Sequence, residues 1–155
     1  MKMTVSDIMT KGPKVCTKET GVCEVAQMMS ELNCGAIPVV KSESDRQPLG
    51  MITDRDIVKR STAMGLNPLD LKVEDCMTNK CFTIPVYETL SEAMKIMESM
   101  QVRRLMVVSD LGECIGMISQ ADISLHGTDG KIAGLLRRIS VPQVDMAHGR
   151  AYAPH

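Results

Sequence analysis

Gly50-Met51-Ile52-Thr53-Asp54-Arg55-Asp56 is a short apolar run that passes into the start of a helix, and it recurs as Gly116-Met117-Ile118-Ser119-Gln120-Ala121-Asp122. Read as Gly-apolar-apolar-[Ser/Thr]-x-x-Asp, the stretch offers three things that suit a nucleotide. Glycine has no Cβ, so a ligand can lie against its backbone. A hydroxyl and the free amides of a helix start can face an anion. An ionised Asp has two acceptor oxygens, which match a pair of vicinal ribose hydroxyls. The same residues also read as a helix N-capping box, Thr53-x-x-Asp56 and Ser119-x-x-Asp122, with Asp in place of the usual Glu. Capping alone does not call for a glycine three residues upstream, nor for a second copy at the matching place. Both readings stand at this point.

Working outward, the second copy proves to be part of a duplication. Val5-Ser6-Asp7-Ile8-Met9-Thr10 aligns with Val73-Glu74-Asp75-Cys76-Met77-Thr78 at an offset of 68 positions, which also carries Met29 onto Met97 and Val39-Val40 onto Val107-Val108. At the glycine motif the offset is 66, so the loop Ser42–Gln47 is two residues longer than its counterpart near Ser109–Gly112. One internal duplication with one loop insertion accounts for this.

Each copy predicts the same elements. A short opening helix ends at Met-Thr, and a brief strand follows (Lys14–Cys16; Phe82–Ile84). An amphipathic helix comes next over Val22–Leu32 and Leu90–Met100. Its apolar positions fall at i, i+3, i+4 and i+7: Val22, Val25, Ala26 and Met29, then Leu90, Ala93, Met94 and Met97. Thr89-x-x-Glu92 reads as a capping box, and Gly21 takes the cap in the first copy. Two β-rich runs joined by polar turns read as a hairpin, Ala36–Val40 with Leu49–Thr53 and Leu105–Val108 with Cys114–Ser119. A closing helix starts after Thr53 or Ser119. The fold class is therefore α/β (α+β): two strand-helix-strand-strand-helix repeats, over 3–62 and 73–126, with a linker at 63–72. Neither half is large enough to bury a core alone, so the two should pack sheet to sheet about a pseudo-twofold axis. Residues 127–155 form a C-terminal segment, with a short helix expected over Lys131–Ile139 and a poorly structured tail from Gln143.

Composition narrows the function. The 155 residues carry a formal charge of −1 and a pI near 6.3, which gives no electrostatic footprint for nucleic acid or an anionic membrane. With no Trp, two Tyr and one Phe, base-stacking platforms have no raw material, and fourteen Met help fill the core instead. No apolar run reaches a membrane span and Met1-Lys2-Met3-Thr4 does not open a signal peptide, so a cytoplasmic location is expected. The six Cys show no Cys-x-x-Cys spacing and read mainly as small apolar residues, with a thiol or metal role as the alternative. No Gly-x-x-x-x-Gly-Lys-[Ser/Thr] loop and no Ser/His/Asp or Cys/His arrangement can be argued, so the chain does not read as an enzyme.

The paired Asp-x-Met-Thr segments, the run Ile37-Pro38-Val39-Val40 and the two glycine motifs, taken together, resemble the cystathionine-β-synthase (CBS) domain in tandem, the arrangement called a Bateman module. The resemblance covers residues 3–126. Thr53-Asp54-Arg55-Asp56 with Val102-Arg103-Arg104-Leu105 is similar to small bacterial stand-alone pairs of the hypoxic-response and stress type. What this implies is regulatory binding of AMP, ADP, ATP or S-adenosylmethionine in up to two clefts between the halves, with no obligatory cofactor and no metal. Asp56 and Asp122 would hold ribose hydroxyls, with Thr53 and Ser119 beside them. Val15, Cys16, Ile37 and Pro38 would line one adenine slot, placed in the first cleft with Asp56. Met106 stands for Pro38 in the second copy, and Arg103-Arg104 for Gly35-Ala36, so the clefts should be unequal. A homodimer and an unidentified regulated protein are the implied partners. A nucleotide-free dimerisation module is the alternative.

Three arginines enter on their own chemistry. Arg55 lies in the first turn of a helix, where the macrodipole disfavours a cation, and a bound phosphate would explain it as well as a neighbouring Asp would. Arg103 and Arg104 sit at a helix-to-strand junction, from which one could reach a phosphate across the interface. Lys59-Arg60 and Arg137-Arg138 read as solvated faces.

Overall fold

The computed structural model describes residues 2–126 and, beyond them, Gly134, Arg137 and Arg138. Outside those three positions the expected C-terminal helix, and the whole of the expected tail, lie outside the described residues. The first half contains α1 (Val5–Ile8), β1 (Thr10–Lys11), α2 (Val22–Leu32), β2 (Ala36–Val40), β3 (Pro48–Thr53) and α3 (Asp54–Arg60). Single 3-10 turns at Thr62–Met64 and Pro68–Asp70 connect it to α4 (Val73–Cys76), β4 (Thr83–Pro85), α5 (Leu90–Met100), β5 (Arg104–Val108), β6 (Cys114–Ser119) and α6 (Gln120–His126).

The duplication reappears in fine detail. Hairpins β2–β3 and β5–β6 are antiparallel, and both registers slip at the same place, between Val39 and Val40 and between Val107 and Val108. Helices α2 and α5 bury Val22, Val25, Met29 and Leu90, Ala93, Met97. Ala26, expected on the buried stripe, is exposed. Both helices end on a left-handed residue that is not glycine, Asn33 (φ 49) and Gln101 (φ 54), whose N–H closes on the last turn. At the start of α5 only half of the expected box forms. Thr89 Oγ1 accepts from the Glu92 N–H at 3.2 Å, while the Glu92 carboxylate turns to Lys95.

One predicted strand is smaller than expected. β4 pairs in parallel with β5, and the Met106 N–H donates to the Phe82 carbonyl at 3.0 Å. In the first half Cys16 bridges Val39 in the same parallel sense, as Ile84 bridges Val107, but the pairing stops there. The residue equivalent to Met106 is Pro38, which has no N–H to give. Lys14–Cys16 is therefore a single bridge rather than a strand.

The opening segments are exchanged between the halves, which the sequence did not suggest. The Val5 N–H donates to the Glu88 carbonyl at 2.8 Å, and the Val73 N–H donates to Thr20 at 2.8 Å. Val5 and Ile8 of α1 lie in the second core with Ile84, Leu90, Ala93, Met97, Leu105, Val107, Ile118 and Ile123. Val73, Cys76 and Met77 lie in the first, with Cys16, Val22, Val25, Met29, Ile37, Val39 and Ile52. Beyond each opening helix the chain pairs with the other half's glycine strand, Thr10 with Met117 and Thr78 with Met51. β1 thereby joins the sheet β1-β6-β5-β4, while β2-β3 forms its own pair. A third cluster, Val40, Met106 and Cys114 with Val15, Met51, Cys81 and Met117, unites strand side chains of both halves. The Asp of each Asp-x-Met-Thr segment has a local task. Asp7 Oδ2 accepts the Thr4 N–H at 2.8 Å, and Asp75 Oδ2 accepts the Lys72 N–H at 2.8 Å, tying down the start of a one-turn helix.

The crossing explains the two glycines. A Cβ on Gly50 would run into the carbonyl oxygen of Thr78 and the Met77 methyl, and one on Gly116 would lie 2.5 Å from Met9 Sδ and 3.2 Å from the Thr10 carbonyl. Close backbone approach is what these positions need, as the sequence indicated, but the neighbour is the other half's opening segment rather than a ligand. Gly50→Ala should therefore destabilise by about 1–3 kcal/mol, the usual range for overpacking. Gly116→Ala should cost less, because the thioether of Met9 can yield where the Thr78 carbonyl cannot. Urea unfolding of both variants measures the order.

Candidate functional site

Where the halves meet, a cleft of about 750 Å³ opens between the start of β2 and the start of α6. One wall is apolar, with Pro38 from β2 and Leu32 from the end of α2; Ile37 borders it as well, while its side chain is turned into the first core. Ser119, Gln120 and Asp122 form the opposite wall, and Thr10, Gly12 and Lys14 of the exchanged segment close one side. Arg103 and Arg104 stand at the junction. The structure thus brings together Ile37, Pro38, Arg103, Arg104, Ser119 and Asp122. The sequence reading had placed the Ile37-Pro38 wall with Asp56. The geometry places it with Asp122, because exchange of the opening segments sets the β2 wall of one half against the helix start of the other.

Asp122 is part of a capping box. The Asp122 N–H donates to Ser119 Oγ at 3.1 Å, and Oδ2 accepts both the Ser119 N–H and its hydroxyl at 2.7 Å. Oδ1 has no hydrogen bond among the described residues, so the carboxylate caps with one oxygen and keeps the other. Capping and ligand binding are compatible at this residue. Gln120 adds a polar atom that sequence reasoning missed. Its Oε1 is buried and has no partner among the described residues, while its backbone N–H donates to the Arg103 carbonyl at 2.8 Å.

Thr53 and Asp56 build the same box in the first half, at 3.0 Å in both directions. Here the Thr78 hydroxyl also lies 3.3 and 3.4 Å from the two carboxylate oxygens. Neither residue lines the cleft. Arg55 is exposed, its N–H held by Asp54 Oδ1 at 2.7 Å, and it is likewise away from the cleft. Arg60 is exposed, as expected, and in addition donates from Nη1 to the carbonyls of Cys76 and Met77, holding the end of α4 against α3. The signal for it was its position in the last turn of a helix that must meet another helix end.

Among the described residues, Lys14, Arg103 and Arg104 line the cleft as three cations against one carboxylate, Asp122. Among the described residues neither arginine has a carboxylate within ion-pair distance; the pairs that form are Lys41–Asp45, Lys95–Glu92 and Arg138–Glu98. Arg104 reaches across the seam, with Nη2 only 3.3 Å from where a Cβ on Gly35 would stand. Val15 and Cys16 are elsewhere, Val15 in the cluster between the halves and Cys16 in the first core, its thiol 3.6 Å from the Pro38 carbonyl oxygen.

Two strand-helix-strand-strand-helix units that exchange their opening segments around a ligand-sized cleft define a paired-repeat module. A family model for the CBS domain matches residues 5–62 and 73–126, and the chain belongs to that family, in two copies. Among its relatives, Hypoxic response protein 1 of Mycobacterium tuberculosis (strain ATCC 25618 / H37Rv) is 31% identical over 139 residues, spanning 90% of this chain and 95% of that protein. A crystal structure of Hypoxic Response Protein I with two coordinated zinc ions superposes with a TM-score of 0.71 at 30% identity, covering 81% of this chain and 100% of that one. The CBS domain pair of protein MJ0100, solved with 5′-methylthioadenosine and S-adenosyl-L-methionine, gives a TM-score of 0.71 at 26% identity, with 81% and 100% covered. No helix among the described residues is long and apolar enough to cross a membrane.

Among the described residues of this chain, no three His, Cys, Asp or Glu side chains group as a metal ion would need. All six cysteines are free thiols. Burial pushes Cys16 up to about 12, and raises Cys76, Cys81 and Cys114 as well. Cys34 is exposed and lines the cleft. In native protein at pH 8 a thiol reagent should modify Cys34 rapidly, while Cys16, Cys76 and Cys114 react only on unfolding. Mass mapping after timed labelling checks this, and fast modification of Cys16 would contradict its placement in the core.

Proposed function

We propose that the chain is a regulatory sensor that binds an adenosine-containing ligand (AMP, ADP, ATP or S-adenosylmethionine) in the cleft at Asp122 and passes its occupancy to a partner protein in the cytoplasm. One observation carries the reading: a single cleft joins an apolar slot, a carboxylate with a spare oxygen and two arginines that form no ion pair among the described residues, although the Asp54 carboxylate stands near Arg104 at Gly35. Leu32 and the Pro38 edge of β2 give the cleft an apolar side suited to a purine. Asp122 Oδ1 suits a ribose hydroxyl, and Ser119 stands beside it. Arg103, Arg104 and Lys14 supply the positive end for phosphates or for the carboxylate of an amino-acid moiety. The volume is in the ordinary range for small-molecule sites. The adenosyl ligands held by the MJ0100 pair support the same class.

Calorimetric titration of AMP, ATP and S-adenosylmethionine tests the proposal. Asp122→Asn keeps the cap at a stability cost of at most about 1 kcal/mol. It removes charge-assisted hydrogen bonds worth about 1.5–3 kcal/mol each, so affinity should fall between tenfold and several hundredfold. Arg104→Ala should weaken ATP more than AMP. Binding unchanged in both variants, or no binding by any of the three, would leave a nucleotide-free dimerisation module, a role in which the two boxes are caps and nothing more.

The module is further proposed to act as a homodimer. Leu32 and Met100, 47% and 50% exposed, stand at equivalent ends of α2 and α5 and place an apolar side chain at the same position of both halves. Sedimentation at micromolar concentration should give twice the 17.0 kDa chain mass. A monomer, with and without nucleotide, would refute the dimer.

A further inference from the structure

We infer that each chain takes one such ligand and not two, because at Asp56 the chain supplies its own hydroxyl in the ligand's place. This rests on the reading of the Asp122 cleft given above. The internal symmetry maps Thr10 onto Thr78 and Asp122 onto Asp56, so the two places can be compared group by group. In the open cleft Thr10 is exposed and lines the wall, and its side chain makes no hydrogen bond among the described residues. Asp122 Oδ1 is likewise left over. At the other place Thr78 Oγ1 lies within hydrogen-bond reach of both Asp56 oxygens, 3.3 and 3.4 Å away, while Oδ2 also accepts the Thr53 N–H. A threonine hydroxyl thus stands where a ribose hydroxyl would have to approach.

What draws Thr78 inward is Arg60. Its Nη1 donates to the carbonyls of Cys76 and Met77, immediately before Thr78, and so pulls the end of α4 onto α3. The position equivalent to Arg60 is His126, whose ring turns back to the Asp122 carbonyl of its own helix. It makes no hydrogen bond to α1 among the described residues, and the cleft borders the chain just beyond α1, at Thr10. The walls differ in the same direction. Gly12 and Lys14 of the open cleft correspond to Lys80 and Phe82, and the Lys80 ammonium packs 5.2 Å from the centroid of the Phe82 ring. Thr78 therefore decides which of two homologous carboxylates is available, and Arg60 is the residue that positions it.

Two measurements test this. Titration of ATP and of S-adenosylmethionine should give one site per chain for whichever binds. Asp56→Asn should leave that affinity within about twofold, in contrast with the loss at Asp122→Asn. Two sites per chain, or a loss in Asp56→Asn matching that in Asp122→Asn, would overturn the inference. The second measurement needs no ligand: double-mutant cycles in urea unfolding, Thr78→Val with Asp56→Asn and Thr10→Val with Asp122→Asn. The first pair should be non-additive, the double variant losing less than the sum of the singles, and the second pair additive. Additivity in both pairs would refute self-occupation at Asp56. If neither probe binds the wild type, the ligand reading of Asp122 fails and takes the count of one with it, while the cycles alone decide whether Thr78 occupies Asp56.

Discussion

The structure depends on a reciprocal pair of backbone hydrogen bonds, Val5 to Glu88 and Val73 to Thr20, by which each half holds the opening helix of the other. Each core is incomplete without that helix, since Val5 and Ile8 fill one, and Val73, Cys76 and Met77 the other. These side chains are almost wholly buried, and burying a large aliphatic side chain is worth about 1.5–3 kcal/mol. The crossing also needs room. Gly50 and Gly116 provide it, by letting the backbone after each opening helix lie directly on the partner strand.

The cleft follows from the same exchange. Moving the opening segments across the seam offsets the halves, so the apolar β2 wall faces the start of α6. The motif that looked like a choice between cap and ligand site carries the cap in both halves, and only the surroundings of the carboxylate differ. A carboxylate can serve a helix with one oxygen and a second donor with the other. In one half that donor is Thr78; in the other the oxygen is left to the cleft.

Much of the fold was legible because the repeat was written twice. Apolar spacing gave α2 and α5, and β-rich runs joined by polar turns gave both hairpins. Capping chemistry placed the starts of α3 and α6. Legibility failed where the information was not local. Nothing in Val5–Thr10 says which core its helix will enter, because an apolar turn suits either of two related cores equally. The grouping of Ile37 and Pro38 with Asp122 rather than Asp56 is a direct result of that exchange. Arg60 looked like one more surface cation because its partners are backbone carbonyls, which leave no mark in sequence. The shortened strand at Cys16 was readable in hindsight from Pro38, whose missing N–H is a property of the residue itself.

The exchanged opening helix also bears on how such a chain could arise and be divided. A single repeat has nothing to fill the groove its own opening helix leaves, so it could build either core only by trading that helix with another copy of itself. The tandem chain is then a domain-swapped pair made permanent by the connection through Thr62–Asp70. That connection carries no part of either buried cluster, and its residues are mostly at the surface. Covalent continuity there sets the effective concentration of one half for the other, while the fold itself is specified by the swap.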